Sequence, residues 1–297
     1  VCMTDSLSSL VLIDVFADGG PIAVEAGQPF LYADDLGAIR GDGVFETLLV
    51  RGGHTCNTDR HEKRFASSAL MLDLPTPDLE QWRAATEVAL RELRDRSIEG
   101  DATLRWVYSR GRESTGRPTG YVLASSAKKV AENRLKPVSV MLAERGFSLD
   151  LGSRAPWALI GAKTLSYAAN MAALRYAKSK GFDDVIFTSA EGKLLEGPTS
   201  TIIVQRGNEL LTPNPGEGVL PGTTQAALFE TAANCGWKVT PTVLVPRDLF
   251  TADAVWLVSS VRIAVVVKSI DGEPIPQPDV AAEKEFRDLC DEALATQ

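Results

Sequence analysis

The stretch from Gly161 to Val204, GAKTLSYAANMAALRYAKSKGFDDVIFTSAEGKLLEGPTSTIIV, decides the fold. Lys163 closes an apolar run, Trp157 to Ala162, that reads as buried. A helix is predicted next, from about Ser166 to Ser179, stopped by Gly181. Asp184 to Thr188, Lys193 to Leu195 and Thr201 to Gln205 read as short strands separated by tight turns. Glu196 falls where the middle run turns through Gly197 and Pro198. A helix leading into short strands is an α/β pattern. Most lysines are solvated surface groups, and a strand-end glutamate is ordinary. A lysine at the end of a buried run is less so, because desolvation lowers its pKa and makes it a nucleophile and base near neutral pH.

Working outward toward the N-terminus, Val11 to Phe16 and Gly43 to Arg51 are strand-like, the second followed by the turn Gly52-Gly53. Asp59 is a candidate cap for a helix over His61 to Met71. Thr76-Pro77-Asp78 signals a helix start: a cap, a proline in the first turn, then an acid. Leu79, Trp82, Ala85, Ala89, Leu90 and Leu93 recur there at helical spacing, which makes Trp82 core rather than ligand. Ala102 to Tyr108 and Tyr121 to Ser125 are strands flanking the loop Ser109 to Thr119, which carries Arg110, Arg112 and Arg117. From Ser126 to Pro137 the chain turns polar and charged, a solvated connection and the expected domain boundary. The expectation is therefore a small α/β domain over residues 1–130 and a larger α/β domain, holding Lys163, over 137–297. The second half starts with a strand over Val138 to Leu142. Gly222-Thr223-Thr224 opens a helix ending at Gly236. Ala254 to Val258 and Ile263 to Ile270 are strands, Asp271-Gly272 is a turn, and Val280 to Ala295 forms the last helix.

Composition excludes several classes of function. The 297 residues are long for one core and suit two domains. A net charge of −8 disfavours a nucleic-acid surface. No apolar run reaches the roughly 20 residues that span a bilayer. Cys2, Cys56, Cys235 and Cys290 form no CxxC pair, so neither a zinc ribbon nor a thioredoxin-like site is indicated; free thiols in a reducing cytoplasm are expected. The opening VCMTDSLSS lacks a signal-peptide pattern, and Met3 is a candidate start. His54 and His61 are the only histidines, which argues against a multi-histidine metal site or a Ser-His-Asp triad. His61 stands among charged residues at a helix start and reads as a surface group. Acid–base chemistry then falls to Lys, Asp, Glu, Tyr or an organic cofactor.

Three further segments could carry chemistry. A glycine and two threonines at a helix N-terminus, Gly222-Thr223-Thr224, offer backbone N–H groups, hydroxyls and the positive end of the helix dipole to a phosphate monoester; alternatively, a threonine only caps the helix. Arg64 could make bidentate phosphate contacts, or be one more solvated helical arginine. Ser259-Ser260 could complete a phosphate cup at a strand end, or be two serines in a turn. Gly41 to Thr47, GDGVFET, matches neither the P-loop spacing nor GxGxxG, and reads as a turn entering a strand.

Taken together, the segments resemble the fold-type IV pyridoxal phosphate enzymes, a group holding branched-chain and D-amino acid aminotransferases and 4-amino-4-deoxychorismate lyases. The resemblance runs from about Leu31 to Pro274. It is carried by RGDGVFETLLVRGG (Arg40 to Gly53), HEKRF (His61 to Phe65), AKTLSYAANMAALRYAKSKG (Ala162 to Gly181), LLEGPTSTI (Leu194 to Ile202), LPGTTQAAL (Leu220 to Leu228) and VSSVRIAVVVKSIDGEPI (Val258 to Ile275). It implies pyridoxal 5'-phosphate as cofactor, Lys163 as the Schiff-base lysine and Glu196 as partner of the protonated pyridine nitrogen. It further implies Arg64, Thr223, Thr224 and Ser260 at the cofactor phosphate and Tyr167 near the cofactor ring. The family usually has asparagine where this chain has Thr201. GDGVFET, KTLSY and YSRGRESTGR (Tyr108 to Arg117) are similar to the lyase members, and Arg110 and Arg117 suit the carboxylates of such a substrate. The implied protein is a cytoplasmic homodimer acting on a small molecule, with a small α/β domain, a larger barrel-like α/β domain and the cofactor in the cleft. Its implied reaction is the lyase step of folate precursor synthesis, the aminotransferase reaction being the alternative. A phosphate-ligand binding protein without catalysis is a third reading, which the presence of both Lys163 and Glu196 disfavours.

Overall fold

A computed structural model of the chain describes residues 10–295. The readings that fell on Cys2 and Met3 lie outside the described residues. The chain divides into two compact units: one runs to Ala131 and takes back Ala162–Tyr167, and the other comprises Glu132–Gly161 and everything from Ala168 on.

The first unit is a six-stranded sheet with helices. Its strands are β1 (Val11–Asp14), β2 (Ile22–Val24), β3 (Gly43–Arg51), β4 (His54–Thr55), β5 (Ala102–Ser109) and β6 (Thr119–Ser126), in the order β2-β1-β6-β5-β3-β4. β3 and β5 pair antiparallel from Gly43↔Ser109 to Val50↔Ala102. Strand alternation puts Val44, Glu46, Leu48 and Val50 on one buried face of β3. The helices are α1 (Leu36–Arg40), α2 (Thr58–Met71) and α3 (Leu79–Asp95). Phe65 of α2, Trp82 of α3 and Trp106 of β5 are fully buried, and the Phe65 ring lies 4.8 Å from Trp82 and 5.5 Å from Trp106. Trp106 Nε1–H donates to Thr86 Oγ1 at 2.9 Å. Removing a buried indole such as Trp82 costs about 3–5 kcal/mol.

Both predicted helix caps move. Asp78, not Thr76, caps α3, its carboxylate accepting from the N–H groups of Glu80 and Gln81 at 3.0 and 3.4 Å. Pro77 thus precedes the cap instead of opening the helix. Asn57, at φ 55, stands at the N-cap of α2, and Asp59 sits inside its first turn. Glycine is required at Gly111, where φ is +78 and an added Cβ would overlap the Arg117 carbonyl.

The segment carrying Lys163 packs in this first unit, although the sequence placed it with the second half. The reason is hydrogen bonding along β3. β4 pairs only with Val50 and Arg51, which leaves the start of that edge needing partners. Phe45 N–H donates to Lys163 O at 3.0 Å, Leu165 N–H donates to Gly43 O at 2.8 Å, and Val44 bridges Thr164. The run before Lys163 is not buried either: Pro156–Ala158 make a 3-10 turn, Leu159 adopts φ 54, and Trp157 is 79% exposed.

The polar stretch expected as a plain connection contains a short helix, α4 (Lys128–Asn133). The second unit then builds β7 (Val138–Glu144), α5 (Leu151–Arg154), α6 (Ala168–Ser179), β8 (Asp184–Thr188), β9 (Thr201–Arg206), β10 (Glu209–Pro213), α7 (Thr223–Asn234), β11 (Lys238–Thr242), α8 (Pro246–Phe250), β12 (Ala254–Ser259), β13 (Ile263–Ile270), β14 (Glu273–Pro274) and α9 (Val280–Ala295). The sheet order is β11-β10-β9-β12-β13-β7-β8, with β14 on β13. β10/β11, β13/β7 and β7/β8 are parallel, and the other pairs antiparallel. Lys193 to Leu195 does not add a strand of its own. It joins the two ends of the sheet: Leu195 N–H donates to Phe187 O of β8 at 2.9 Å, and Leu194 N–H donates to Leu244 O, just past β11, at 2.8 Å. This curls the sheet into a half-barrel around Val140, Ile186, Ile202, Val204, Val255 and Leu257, all fully buried. Phe286 of α9 stacks on Trp256 at 4.2 Å. Cys56, Cys235 and Cys290 are free thiols, and among the described residues no helix is long and apolar enough to cross a membrane.

Candidate active site

In the first unit, Lys163 is held by its backbone and surrounded by rings. Its N–H donates to Ser68 Oγ of α2 at 3.1 Å and its carbonyl accepts from Phe45. Its Nζ lies 4.3 Å from the centroid of Phe45 and 5.6 Å from that of Tyr167, and those rings meet edge to face at 5.3 Å. Such a position is worth about 0.5–1 kcal/mol of cation–π attraction. Tyr167 is thus a near neighbour of the Lys163 amine.

Arg64 sits one turn before Ser68 on α2, and its partner was not anticipated. Nε donates to Glu46 Oε1 at 2.7 Å and Nη2 to Glu46 Oε2 at 2.8 Å. His61 Nδ1 lies 2.6 Å from the same Oε2. The His61 side chain is 1% exposed and the Glu46 side chain 0%, so the expected surface histidine is a core one. Burial pushes the Glu46 carboxyl up, but the charges of Arg64 and His61 outweigh it and hold the group well below the usual carboxylate range. Burial pushes His61 down, and the attraction of Glu46 only partly opposes it. The contact with Glu46 puts a proton on Nδ1, because a carboxylate only accepts. A signal for this cluster existed. Glu46 interrupts an alternating apolar face, and His61, Arg64, Phe65 and Ser68 share one helix face at i, i+3, i+4, i+7.

The loop between β5 and β6 separates its arginines. Arg110 is engaged in structure: Nε donates to Asp42 Oδ2 at 2.7 Å, Nη2 to Leu72 O at 2.6 Å, and Nη1 to Asp73 O at 3.2 Å. Arg112 pairs with Asp34 at 2.9 Å and stacks 4.0 Å over Tyr32. The Ser114 hydroxyl and Arg112 hold Asp34 at about 2. Arg117 is exposed.

In the second unit, Glu196 closes the segment that joins the sheet ends. Its carbonyl accepts from Phe187 N–H at 2.9 Å, and its Oε2 accepts from Leu220 N–H at 3.2 Å, two residues before Gly222. Gly222 is the N-cap of α7 and has no side chain to cap it, so a threonine does not fill that position. Thr223 and Thr224 are buried in its first turn. Thr223 Oγ1 lies 3.4 Å from Ser260 Oγ, in the turn between β12 and β13. Ile263, which closes that turn, has φ +61, a strained value for a β-branched residue. A Cβ on Gly222 would lie 2.5 Å from Thr201 Oγ1, so the residue that departs from the family's asparagine packs directly against this helix start.

The first unit thus offers a ring-flanked lysine, and the second an oriented carboxylate and a hydroxyl-bearing helix start. Among the described residues no cluster of His, Cys, Asp and Glu could hold a metal ion. Residues 43–270 match the model of the Amino-transferase class IV family, and the chain belongs to that family. It is 44% identical, over 92% of its length and 96% of the relative's, to a bifunctional aminodeoxychorismate lyase / D-amino acid transaminase of Mycobacterium tuberculosis. A solved aminotransferase from the same organism in its pyridoxal phosphate-bound form superposes with a TM-score of 0.91, at 43% identity and covering 97% of this chain and 99% of that one. A fold IV transaminase from Curtobacterium pusillum superposes with a TM-score of 0.90, at 39% identity and covering 97% and 100%. The protein is a pyridoxal phosphate-dependent enzyme of mixed α/β fold.

Proposed function

We propose that the enzyme is a 4-amino-4-deoxychorismate lyase, releasing pyruvate and 4-aminobenzoate from one substrate. The observation that carries this reading is the 44% identity, across nearly the whole chain, to a relative named for that activity. The same relative's name favours a second reading, amino transfer on D-amino acids.

In this proposal Lys163 holds the cofactor covalently through Nζ, Glu196 keeps a proton on the pyridine nitrogen, and Arg64, Thr223, Thr224 and Ser260 bind the phosphate. The cofactor, when bound, supplies the electron sink for the carbon that loses its proton. Once the substrate amine has taken its place, Lys163 Nζ would be free to take that proton from the amine-bearing carbon, beside the Phe45 and Tyr167 rings. Returned to the enolpyruvyl methylene as the C–O bond breaks, the proton would release pyruvate and leave the ring aromatic. In amino transfer the proton goes elsewhere and a 2-oxo acid completes the cycle. Arg117, exposed on its loop, is the better placed of the two expected arginines for a substrate carboxylate, since Arg110 is engaged with Asp42 and two carbonyls. The proposal includes a cytoplasmic homodimer, for which light scattering should give twice the mass of one chain.

The test is purified protein with 4-amino-4-deoxychorismate and no added 2-oxo acid. Catalytic release of 4-aminobenzoate and pyruvate, lost in Lys163→Ala, supports the lyase. Amino exchange between D-alanine and 2-oxoglutarate, without that release, moves the protein to the aminotransferases.

A further inference from the structure

We infer that Glu46 and His61 are positioning residues for the cofactor phosphate, acting through Arg64; this rests on the assignment of Arg64 to that phosphate under Proposed function. A free arginine side chain loses rotamer entropy when it is fixed on a ligand. Here the fork is already fixed. Nε and Nη2 sit on the two oxygens of one carboxylate at 2.7 and 2.8 Å, and the Arg64 side chain is only 11% exposed. The carboxylate is fixed in turn. Its Oε2 also accepts from His61 Nδ1 at 2.6 Å and from Thr47 N–H at 3.3 Å, on a strand paired in register along its length.

Charge sharpens the inference. The Glu46 carboxylate, held ionised by its two partners, offsets the charge of the guanidinium it grips. What the pair offers a phosphate is a directed donor, not a long-range field. Replacing Glu46 by an uncharged isostere adds one net positive charge. If charge alone governed phosphate binding, that change would tighten it. If Glu46 aims Arg64, the same change weakens it.

The experiment strips the cofactor from the full-length protein and titrates it back by absorbance, once with pyridoxal phosphate and once with pyridoxal. The ratio of the two affinities isolates the phosphate contribution. Arg64→Ala should lower the ratio at least tenfold. Glu46→Gln should lower it about tenfold, with pyridoxal affinity changed less than twofold. His61→Phe should lower it severalfold, and His61→Asn, which keeps an N–H near the Nδ1 position, should restore it to within twofold. The His61 pair decides the matter if Glu46→Gln does not fold. An unchanged or raised ratio in Glu46→Gln, or an equal loss for both ligands, overturns the inference while leaving Arg64 in place. An unchanged ratio in Arg64→Ala overturns the assignment of Arg64 itself, and the inference with it.

Discussion

Lys163 meets Phe45 twice: its carbonyl accepts the Phe45 N–H at 3.0 Å, and its Nζ stands 4.3 Å over the Phe45 ring. The same residue therefore fixes where the lysine backbone runs and flanks where its amine reaches. Lys163→Ala keeps every backbone bond of the segment, including the donation to Ser68. The expected outcome is a folded protein, its melting temperature lowered by no more than about 2–4 °C per kcal/mol of lost side-chain contact. Turnover should fall by on the order of 10³-fold or more, since a general base alone contributes about 10²–10⁴. Thermal melts and single-turnover assays check both parts; residual turnover near wild type would remove Lys163 from the chemistry.

The buried pair of Glu46 and His61 should leave its mark on stability as pH changes. The folded pKa of His61 lies below its unfolded value, about 6.5. Below that pH the unfolded chain binds a proton that the native state refuses, so stability falls as pH drops. Glu46 works in a lower window. Its stabilisation is complete above the ordinary glutamate value and is lost as pH falls through its depressed folded value. His61→Asn should flatten the stability slope between about pH 7.5 and 5, leaving the acid limb below about pH 4 in place. Urea melts across that range decide it, and an unchanged slope in the variant means that His61 is not the group responsible.

What the sequence revealed and what it hid follow from how local each signal was. β3 and the last helix have the bounds that alternation and helical spacing predicted, because each pattern repeats along its own segment. Glu196 and Thr223 were legible as types at turns, and their surroundings, Leu220 and Ser260, came from neighbouring motifs. His61 was misread because its partner is 15 residues away on a strand, and a charged neighbourhood in sequence says nothing of a carboxylate across the sheet. Lys193 to Leu195 looked like a strand because it makes strand-like bonds, but to both ends of a sheet that only the folded unit brings near.

Arg110 and Arg117 share a loop but should behave differently. Arg110 joins Asp42 to the carbonyls of Leu72 and Asp73, which follow α2. Its ion pair is about a third exposed, so screening reduces it, and the two carbonyl bonds contribute most. Arg110→Ala should cost about 1–2 kcal/mol of stability and leave KM within about twofold. Arg117→Ala should leave the melting temperature alone and raise KM for a carboxylate-bearing substrate by about tenfold, equivalent to one lost charge-assisted bond. A KM effect at Arg110 without a stability loss would reverse the two roles.

Gly222 and Thr201 offer a test of whether the start of α7 is held by a close fit. An alanine Cβ at Gly222 would lie 2.5 Å from Thr201 Oγ1 and 3.2 Å from Gln225 Cβ, while the Thr201 Cβ stays at 3.5 Å, an ordinary contact. The conflict is therefore with one hydroxyl on a buried strand residue. Gly222→Ala should cost about 1–3 kcal/mol from overpacking and, if Thr223 and Thr224 hold the phosphate as proposed, should weaken pyridoxal phosphate binding, because the helix start that carries them must move. Thr201→Ala removes the clashing oxygen and should recover at least about 1 kcal/mol in the double variant, a coupling expected only for residues in contact. Thr201→Ser keeps that oxygen and should recover little. Additive costs in the Gly222→Ala, Thr201→Ala pair would mean that the helix start tolerates displacement, and that the close approach is incidental to holding the phosphate.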